Sequence, residues 1–246
     1  FNKYLMLYSA KTSDHVFFES FYTRNLFLSK YGLNEKKTSV LQIGRDEYFE
    51  PDPKKENKKY SDLLNKRYIL SVSHLYPYKN IEILIHAFGQ LKDVVAEHNL
   101  ILAGSTQNNK YFKELLSLVQ YYGLQDQVFF VGNLEPSDLK QFYSSCDALI
   151  FTSPFENFAY TLVEAMSCGA PIISTNTTAM PETCQNAAVY FDPYSVEDLL
   201  SQIELVLSNC KVRNELIKNS LARAGTMETY LAINIKTNEI LQNVIK

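Results

Sequence analysis

From residue 68 onward, short apolar runs alternate with stretches in which apolar residues recur at helical spacing. Most of the short runs are continuously apolar, as expected of strands that are buried on both faces. Strands separated by helices favour a parallel sheet joined by right-handed crossovers. The pattern therefore predicts an α/β domain with strands at 68–73, 99–103, 127–131, 148–152, 171–175 and 187–191.

Helices are predicted between these strands from the 3.6-residue spacing of their apolar positions. Asn80 is expected to be the N-cap of the first helix after residue 73. Ser195 and Asp198 have the spacing of a capping box at the start of a later helix. Two more helices are predicted to end the chain, at about 211–224 and 228–244.

The first 67 residues give a less regular pattern. Two strands, at 15–18 and 38–43, are predicted around a helix at about 23–31. The stretch 51–67 is rich in charge and contains two prolines, which indicates a surface connection between domains. Attraction of its basic residues to anionic lipid or to a phosphorylated partner is the alternative, but the interspersed acidic residues favour a solvated linker.

Composition narrows the class of protein. The 246 residues are 46% apolar and 21% charged, which is typical of a globular chain. No run approaches the ~18 to 20 apolar residues of a membrane-spanning helix. A net charge of −3 argues against nucleic acid as a partner. The chain starts at Phe1 without Met or a secretory signal pattern, so we expect a fragment of a cytoplasmic protein.

The cysteines and glycines exclude several kinds of site. The four cysteines form no CxxC pair, which argues against a zinc site and favours reduced thiols buried as small hydrophobic groups. None of the eight glycines forms a G-x-G pair, and none precedes a Lys-Ser or Lys-Thr pair. The sequence therefore lacks both the dinucleotide-binding fingerprint and the P-loop, which argues against a dehydrogenase.

Candidate chemistry lies in the loops that follow two of the strands, where open parallel sheets bind ligands. His74 and Lys79 lie in the first loop, just before a helix N-terminus, where a cation can neutralise a phosphate. Glu156 lies in the loop after 148–152, and Glu164 follows within an apolar helical turn. A carboxylate in such a turn is costly unless it is paired or meets a polar ligand.

The spacing of the two glutamates suits a nucleotide. If the helix starts near Phe158, Glu164 lies about 9 Å further along its axis, at about 1.5 Å per residue. A diphosphate at the helix N-terminus would then place a ribose alongside the helix, within reach of Glu164. A solvent-facing helix position is the alternative interpretation of that residue.

At this point the chain resembles a known family. From about 68 to 207 it is similar to the C-terminal domain of family-4 glycosyltransferases, which are retaining enzymes of the two-domain GT-B fold. Glu156 and Glu164 match the E-x7-E motif of that family, and EAM-x-x-G-x-P follows in the expected order. Further matches are PYKN at 77–80, GLQDQVFFVGNL at 123–134, MPE at 180–182 and FDP at 191–193.

The resemblance implies a fold and a division into domains. We expect a Rossmann-like parallel sheet with helices on both faces, plus the remnant of a second Rossmann-like domain. Residues 1–45 would be the end of an N-terminal acceptor-side domain, and 46–67 a charged linker. The nucleotide-sugar-binding domain would span 68–225, and 226–246 would be a helix that crosses toward the N-terminal domain.

The resemblance also implies roles for individual residues. Lys79 would contact the leaving diphosphate, Glu164 would accept hydrogen bonds from ribose hydroxyls, and Glu156 would hold hydroxyls of the donor sugar. Lys79 and Glu156 are thus the predicted catalytic pair. The remaining expected substrate contacts are His74, the N–H groups of Asn157, Phe158 and Ala159 at the phosphate or sugar, and Gly132, Asn133 and Leu134 near the base.

The implied reaction is transfer of a hexose from a UDP- or GDP-linked donor to a glycan or lipid-linked acceptor, with retention of configuration. Surface-polysaccharide or glycoconjugate synthesis is the expected setting, with no metal or other cofactor. Peripheral association with the inner membrane face is left open. Because only the end of the N-terminal domain is recognised, we expect the isolated chain to transfer sugar poorly.

Three departures from the family pattern keep other functions open. His74 stands where the family usually has arginine, and Asn157, Phe158 and Ala159 replace a Gly-Phe-Gly run. Thr178 and Ala179 replace a common glycine pair. A non-catalytic partner subunit, a nucleotide-sugar epimerase and a phosphorylase of the same architecture are therefore the alternatives.

Overall fold

A six-stranded parallel sheet is the centre of the computed structural model, which describes residues 3–52, 57–91 and 94–245. The strand order is β5-β4-β3-β6-β7-β8, and every neighbouring pair is parallel. All six strands predicted after residue 67 are confirmed. They are β3 (Arg67–Val72), β4 (His98–Ala103), β5 (Val128–Gly132), β6 (Ala148–Phe151), β7 (Ile172–Thr175) and β8 (Ala188–Phe191).

Helices cover both faces of this sheet, which explains why its strands are continuously apolar. Side chains of β3 alternate between two buried clusters, with Ile69 on one face and Tyr68 and Leu70 on the other. The first cluster includes apolar side chains of α4 (Ile81–Gln90), α5 (Asn109–Tyr122) and α9 (Val196–Ser208). The second includes those of α6 (Pro136–Ser145), α7 (Tyr160–Ser167) and α8 (Met180–Cys184), with α10 (Cys210–Gly225) beside it.

A second, small parallel sheet precedes the main one. It pairs β1 (Val16–Phe18) with β2 (Thr38–Val40) around α2 (Phe21–Tyr31), close to the predicted strand–helix–strand order. The helix α1 (Lys3–Thr12) comes before it and has no counterpart in the sequence prediction. The prediction of a Rossmann-like sheet domain accompanied by part of a second one agrees with this arrangement.

The predicted charged linker is partly packed against the sheet domain. Phe49 and Leu64 are buried, and the ring of Tyr60 lies 5.4 Å from that of Phe142 on α6. A short helix, α3 (Ser61–Leu64), also forms in this segment, while residues 53–56 lie outside the described part of the chain. The described basic side chains of 57–67 are exposed, as expected of a surface connection, while Leu64 packs into the sheet domain. The domain boundaries at 45, 67 and 225 stay predictions.

Two chain segments cross beside each other between the small sheet and the main one. Residues 44–46 and 228–230 form this crossover, just before α11 (Tyr230–Ile245). The N–H of Arg45 donates to the carbonyl of Glu228 over 2.8 Å, and the N–H of Tyr230 donates to the carbonyl of Arg45 over 3.3 Å. A Cβ added at Gly44 would lie 2.5 Å from the backbone of Thr229, so only glycine permits this close approach.

The two predicted helix caps are correct in position but differ in chemistry. Asn80 is the N-cap of α4, but its side-chain amide donates to the carbonyl of Pro193 over 2.8 Å instead of capping the helix. The Ser195 hydroxyl accepts the N–H of Asp198 over 3.1 Å, as predicted. In a full capping box the side chain of Asp198 would accept the N–H of Ser195. Here the carboxylate of Asp198 accepts the N–H of Asp192 in the preceding turn instead.

Two further expectations concern thiols and membranes. Cys146, Cys168 and Cys184 are free and buried, as predicted, but Cys210 is exposed at the start of α10. Among the helices described, none combines the length and apolar character needed to span a bilayer.

A cluster of charges joins the amino-terminal ends of the central strands. Asp147, just before β6, accepts a hydrogen bond from Arg67 Nε over 3.0 Å and lies 3.3 Å from His98 Nε2 and 3.9 Å from Arg213 Nε. Burial alone would raise the pKa of Asp147, but His98 and Arg67 outweigh it and lower the pKa to about 2. The folded state therefore favours the ionised carboxylate more strongly than the unfolded chain does.

We expect Asp147→Asn to lower the free energy of unfolding at pH 7 by roughly 1 to 2 kcal/mol, after allowance for solvent screening. The contribution is fully present above the unfolded pKa of about 4 and is lost as the pH falls through about 2. Urea unfolding of wild type and variant between pH 7 and pH 3 tests this, with the exposed Asp126→Asn as control. A stability difference that does not shrink toward low pH would contradict it.

Candidate functional site

The order of the strands reverses between β3 and β6. These strands are neighbours in the sheet although three α-helices and two other strands lie between them along the chain. Their carboxyl ends carry the loop that contains Lys79 and the loop that contains Glu156. Open α/β sheets bind ligands where the strand order reverses, because the two loops diverge there and leave a crevice.

A cavity of about 380 Å³ occupies this point of the sheet. It brings together both predicted catalytic residues with several of the other predicted contacts, and it extends to the start of α7. The residues that line it are Val72, Ser73, His74, Lys79, Ala103, Gly104, Asn133, Leu134, Leu139, Phe151, Glu156, Phe158, Ala159, Tyr160 and Thr161.

Lys79 and Glu156 form an ion pair in the wall of the cavity. Their side chains are only 15% and 18% exposed, so the two charges are largely withdrawn from water. The ammonium group of Lys79 also lies 5.1 Å from the centre of the Tyr78 ring. Charges this poorly hydrated need partners. Each of the two can exchange its present partner for a ligand group, Lys79 for an anion and Glu156 for hydroxyl donors.

Threonine hydroxyl groups hold the two loops in place. Thr152 donates to the carbonyl of Lys79 over 2.6 Å, which ties the first loop to the end of β6. Thr175 and Thr177 donate to the carbonyls of Ser153 and Pro154, over 2.9 Å and 2.8 Å.

Thr178 completes this set from the next loop, since its hydroxyl accepts the N–H of Glu156 over 3.3 Å. Its backbone has φ of 49°, a left-handed conformation that is uncommon for threonine. Thr178, which stands where the family commonly has glycine, thus contacts the backbone of Glu156 directly.

The helix α7 begins two residues later than predicted. Its first helical residue is Tyr160, so Phe158 lies before the helix. The N-cap is Ala159, whose side chain has no oxygen to accept the N–H groups of the first turn. The first turn lines the cavity, and a helix N-terminus with unsatisfied N–H groups favours a bound anion.

Glu164 lies further along α7 and does not line the cavity itself. It follows Tyr160 and Thr161 by four and three residues, on the same face of the helix, about 6 Å along the axis from Tyr160. This is shorter than the expected 9 Å because the helix begins later. The Tyr143 hydroxyl donates to Glu164 Oε2 over 3.0 Å.

The surroundings of Glu164 change its acidity. Burial raises its pKa to about 7, the hydrogen bond from Tyr143 opposes the shift, and the nearby negative charge of Asp46 adds to it. Glu164 therefore changes charge near neutral pH. The costly environment predicted from its apolar neighbours agrees with this shift.

The other predicted contacts divide into two groups. His74, Asn133, Leu134, Phe158 and Ala159 line the same cavity as Lys79 and Glu156.

Two predicted contacts lie elsewhere. Asn157 lines a different cavity, formed mainly by α1, β1 and α2. Gly132 ends β5 with φ of 70°, and its carbonyl accepts the N–H of Gly104, which places it beside the cavity wall.

Sequence reasoning missed Ser73, Tyr160 and Thr161. The hydroxyl group of Ser73 is buried in the cavity wall and has no hydrogen-bond partner among the described residues. Its position at the carboxyl end of β3, next to His74, was the available signal. Within the described ranges, no group of three His, Cys, Asp or Glu side chains is placed to hold a metal ion.

Comparison with known sequences places these features in a family. A family model described as glycosyl transferases group 1 matches residues 53–223. The serotype-specific mannosyltransferase WbdA of Escherichia coli is 34% identical over 169 residues, which cover 68% of this chain and 20% of WbdA. The O-antigen chain mannosyltransferase RfbU of Salmonella typhimurium is 28% identical over 195 residues, 78% of this chain and 50% of RfbU. The chain thus spans a fifth to a half of the length of these relatives.

Comparison with solved structures confirms the fold. The sucrose-phosphate synthase from Thermosynechococcus elongatus has a TM-score of 0.87 at 22% identity, covering 98% of this chain and 61% of that one. Anabaena Alr3699/HepE, solved in complex with UDP and glucose, also has a TM-score of 0.87, at 23% identity over 98% of this chain and 66% of that one. The predicted α/β fold of the GT-B type is therefore correct.

The matched range of the family model contains the whole sheet from β3 to β8 and every residue that lines the cavity. It also contains Glu164 and the threonines that hold the two loops. Since the model covers more than half of the sequence, this chain belongs to the group 1 glycosyl transferases.

Proposed function

We propose that this chain binds a nucleotide-diphosphate sugar in the cavity between the Lys79 and Glu156 loops and supplies the donor-binding half of a retaining hexosyltransferase. The observation that carries the proposal is the convergence of Lys79, Glu156 and the start of α7 on one cavity at the strand-order reversal. The relatives named above act on mannose according to their names, which makes mannose a candidate for the transferred hexose.

Diphosphate binding would use cations and N–H groups that line the same cavity. The first turn of α7 offers N–H groups, and Lys79 and His74 line the cavity with it. Binding of the diphosphate would draw Lys79 from Glu156, since the phosphate oxygens offer the ammonium group a stronger charge. Ser73, whose hydroxyl is buried without a partner, would add a donor to the same group.

The two glutamates would hold the two ends of the donor. Glu156, released from Lys79, would accept hydrogen bonds from hydroxyls of the sugar. Glu164, one turn along α7 and about 6 Å from Tyr160, would accept them from the ribose of a nucleotide whose diphosphate lies at the helix start. Asn133 and Leu134 lie on the wall between β5 and α6, where the base would rest.

The proposed reaction follows from this placement. As the bond between the anomeric carbon and the diphosphate oxygen breaks, negative charge develops on that oxygen, and Lys79 stabilises it in a site largely shielded from water. An acceptor hydroxyl attacks on the face from which the diphosphate leaves and gives up its proton to the departing diphosphate oxygen, so the configuration is retained. This chemistry needs only groups of the protein and of the two substrates.

Acceptor binding is proposed to depend on residues beyond the sheet domain. The described N-terminal segment supplies two strands and two helices, and the family comparison covers only 53–223. We therefore propose that the isolated chain binds donor but transfers sugar poorly. A glycan or lipid-linked acceptor is the proposed co-substrate, and a lipid-linked one would bring the protein to a membrane surface.

Donor binding is the direct test. We expect UDP-glucose or GDP-mannose to bind the wild-type chain in titration calorimetry, and Lys79→Met to weaken binding at least about tenfold, because charged hydrogen bonds contribute about 1.5 to 3 kcal/mol. The matched control is Lys113→Met, an exposed lysine on α5 away from the cavity.

Several results would contradict the proposal. One is absence of binding for both nucleotide sugars, and another is an equal loss in the two lysine variants. Product analysis of the same mixtures separates the alternatives: an epimerase changes the sugar of the donor without an acceptor, whereas a transferase at most hydrolyses the donor. Efficient sugar transfer by the 246-residue chain would refute the proposal that it transfers poorly.

The titration of Glu164 gives a second test. Its pKa of about 7 means that the carboxylate becomes ionised, and a stronger acceptor for hydroxyl groups, as the pH rises from 6 to 8. We expect the affinity for the bound nucleotide sugar to rise several-fold across that range, because each charge-assisted hydrogen bond is stronger than a neutral one. The diphosphate of such a donor keeps its charge over these pH values.

Glu164→Gln isolates this effect, since it removes only the carboxylate of residue 164 and keeps the rest of the site. The variant should bind donor about tenfold more weakly than wild type at pH 8 and should show little of the pH-dependent gain. Calorimetry at pH 6, 7 and 8 measures both quantities. Equal pH profiles for wild type and Glu164→Gln would remove Glu164 from the site.

A further inference from the structure

The carboxylate of Glu182 connects the small sheet to the main domain. It accepts hydrogen bonds from the N–H groups of Phe21 and Tyr22, each over 2.9 Å, and from the side-chain amide of Gln42 over 2.8 Å. Two of these donors begin α2, and the third follows β2. One side chain of α8 thus contacts the start of α2 and the segment that follows β2.

These contacts combine a hydrogen-bonding and an electrostatic advantage. The first N–H groups of a helix have no partner within it, and a carboxylate there also interacts favourably with the helix dipole. Ser20 caps the same helix by accepting the N–H of Thr23, so Glu182 satisfies the two N–H groups that Ser20 does not reach.

The helix α8 is itself fixed to the main domain. Arg223 on α10 donates to the carbonyl of Thr183 over 2.9 Å and to the carbonyl of Glu182 over 3.3 Å. Met180 and Cys184 are fully buried in the cluster beneath the sheet. The position of α8 is therefore set by the main domain on one side and by the contacts of Glu182 with the β1–α2–β2 unit on the other.

The small sheet has a second attachment at the crossover of 44–46 with 228–230. The crossover joins the chain just after Gln42 to the segment before α11 through two backbone hydrogen bonds. The bonds to Glu182 add contacts at the start of α2, which lies apart from the crossover along the chain. The crossover and Glu182 therefore hold the unit at two places.

The same helix leads into the Glu156 loop. Thr177 and Thr178 directly precede α8, and their hydroxyls contact the carbonyl of Pro154 and the N–H of Glu156. A displacement of α8 moves these two residues, because only Ala179 separates Thr178 from the helix.

We propose that Glu182 is a positioning residue, which orients the β1–α2–β2 unit and couples that orientation, through α8 and Thr177 and Thr178, to the loop that carries Glu156. Its consequence for donor binding rests on the proposed function, whereas the mechanical coupling does not. Glu182 itself does not line the cavity, so its proposed effect on the site acts only through α8 and the two threonines before it.

Hydrogen–deuterium exchange tests the coupling without a ligand. In Glu182→Gln, one acceptor oxygen and the charge are lost, and we expect the amides of Phe21 and Tyr22 to exchange about tenfold faster. Coupling predicts faster exchange of the peptide that contains 153–158 as well. The exposed Glu204→Gln on α9 is the matched control, in which neither segment should change.

Each other outcome overturns the proposal. Unchanged exchange in both segments means that Glu182 does not hold the unit, and faster exchange in 14–43 alone means that the hold does not reach the Glu156 loop. If Glu182→Gln loses amide protection throughout β3 to β8, that variant has destabilised the whole sheet domain. Gln42→Ala, which removes only one of the three hydrogen bonds to Glu182, then replaces it, and exchange is measured in the same two peptides.

The affinity for UDP-glucose distinguishes a failure of this proposal from a failure of the proposed function. If wild type binds UDP-glucose, we expect Glu182→Gln to bind it about threefold more weakly, because the loop that carries Glu156 is less often in place. If wild type binds no nucleotide sugar, the proposed function fails while the exchange result still decides the coupling.

Discussion

The adjacency of β3 and β6 is the constraint on which the candidate site depends. The chain runs from β3 out to β4 and β5 and then returns to the other side of β3. Only this order places the Lys79 loop and the Glu156 loop side by side. The ion pair between them is thus a consequence of topology, because no local sequence preference joins residues 77 positions apart.

That ion pair stabilises the two buried charges when no ligand is bound, and it leaves each of them able to exchange its partner for a ligand group. Two charges that are mostly removed from water lose much of their hydration, and their mutual attraction offsets that loss. A nucleotide sugar carries the complementary pair of groups, an anion for Lys79 and hydroxyl donors for Glu156. In the proposed donor complex, one set of charge-assisted bonds would replace another, and neither charge would be left buried without a partner.

The sequence was sufficient for features that depend on local pattern. The strands were predicted because buried strands are continuously apolar, and Lys79, Glu156 and Glu164 because their positions follow strand ends or apolar helix turns. The start of α7 was misplaced because Ala159 gives no capping signal. Contacts between distant residues, such as Tyr143 with Glu164 and Glu182 with Phe21, leave no trace in spacing and needed the structure.

The cavity between the Lys79 and Glu156 loops is in contact with the crossover through side chains. Tyr160 lines the cavity and stacks on Tyr230 of the crossover, with ring centres 5.9 Å apart, while Asp46 of the crossover acts on the charge of Glu164. A ligand that interacts differently with two orientations of the small sheet must shift the balance between them. By thermodynamic linkage, a contact that favours one of these orientations changes the affinity for the ligand by the same factor as the ligand changes the strength of that contact. Under the proposed function, donor binding and the placement of the N-terminal unit would therefore be linked through the residues around α7 and α8.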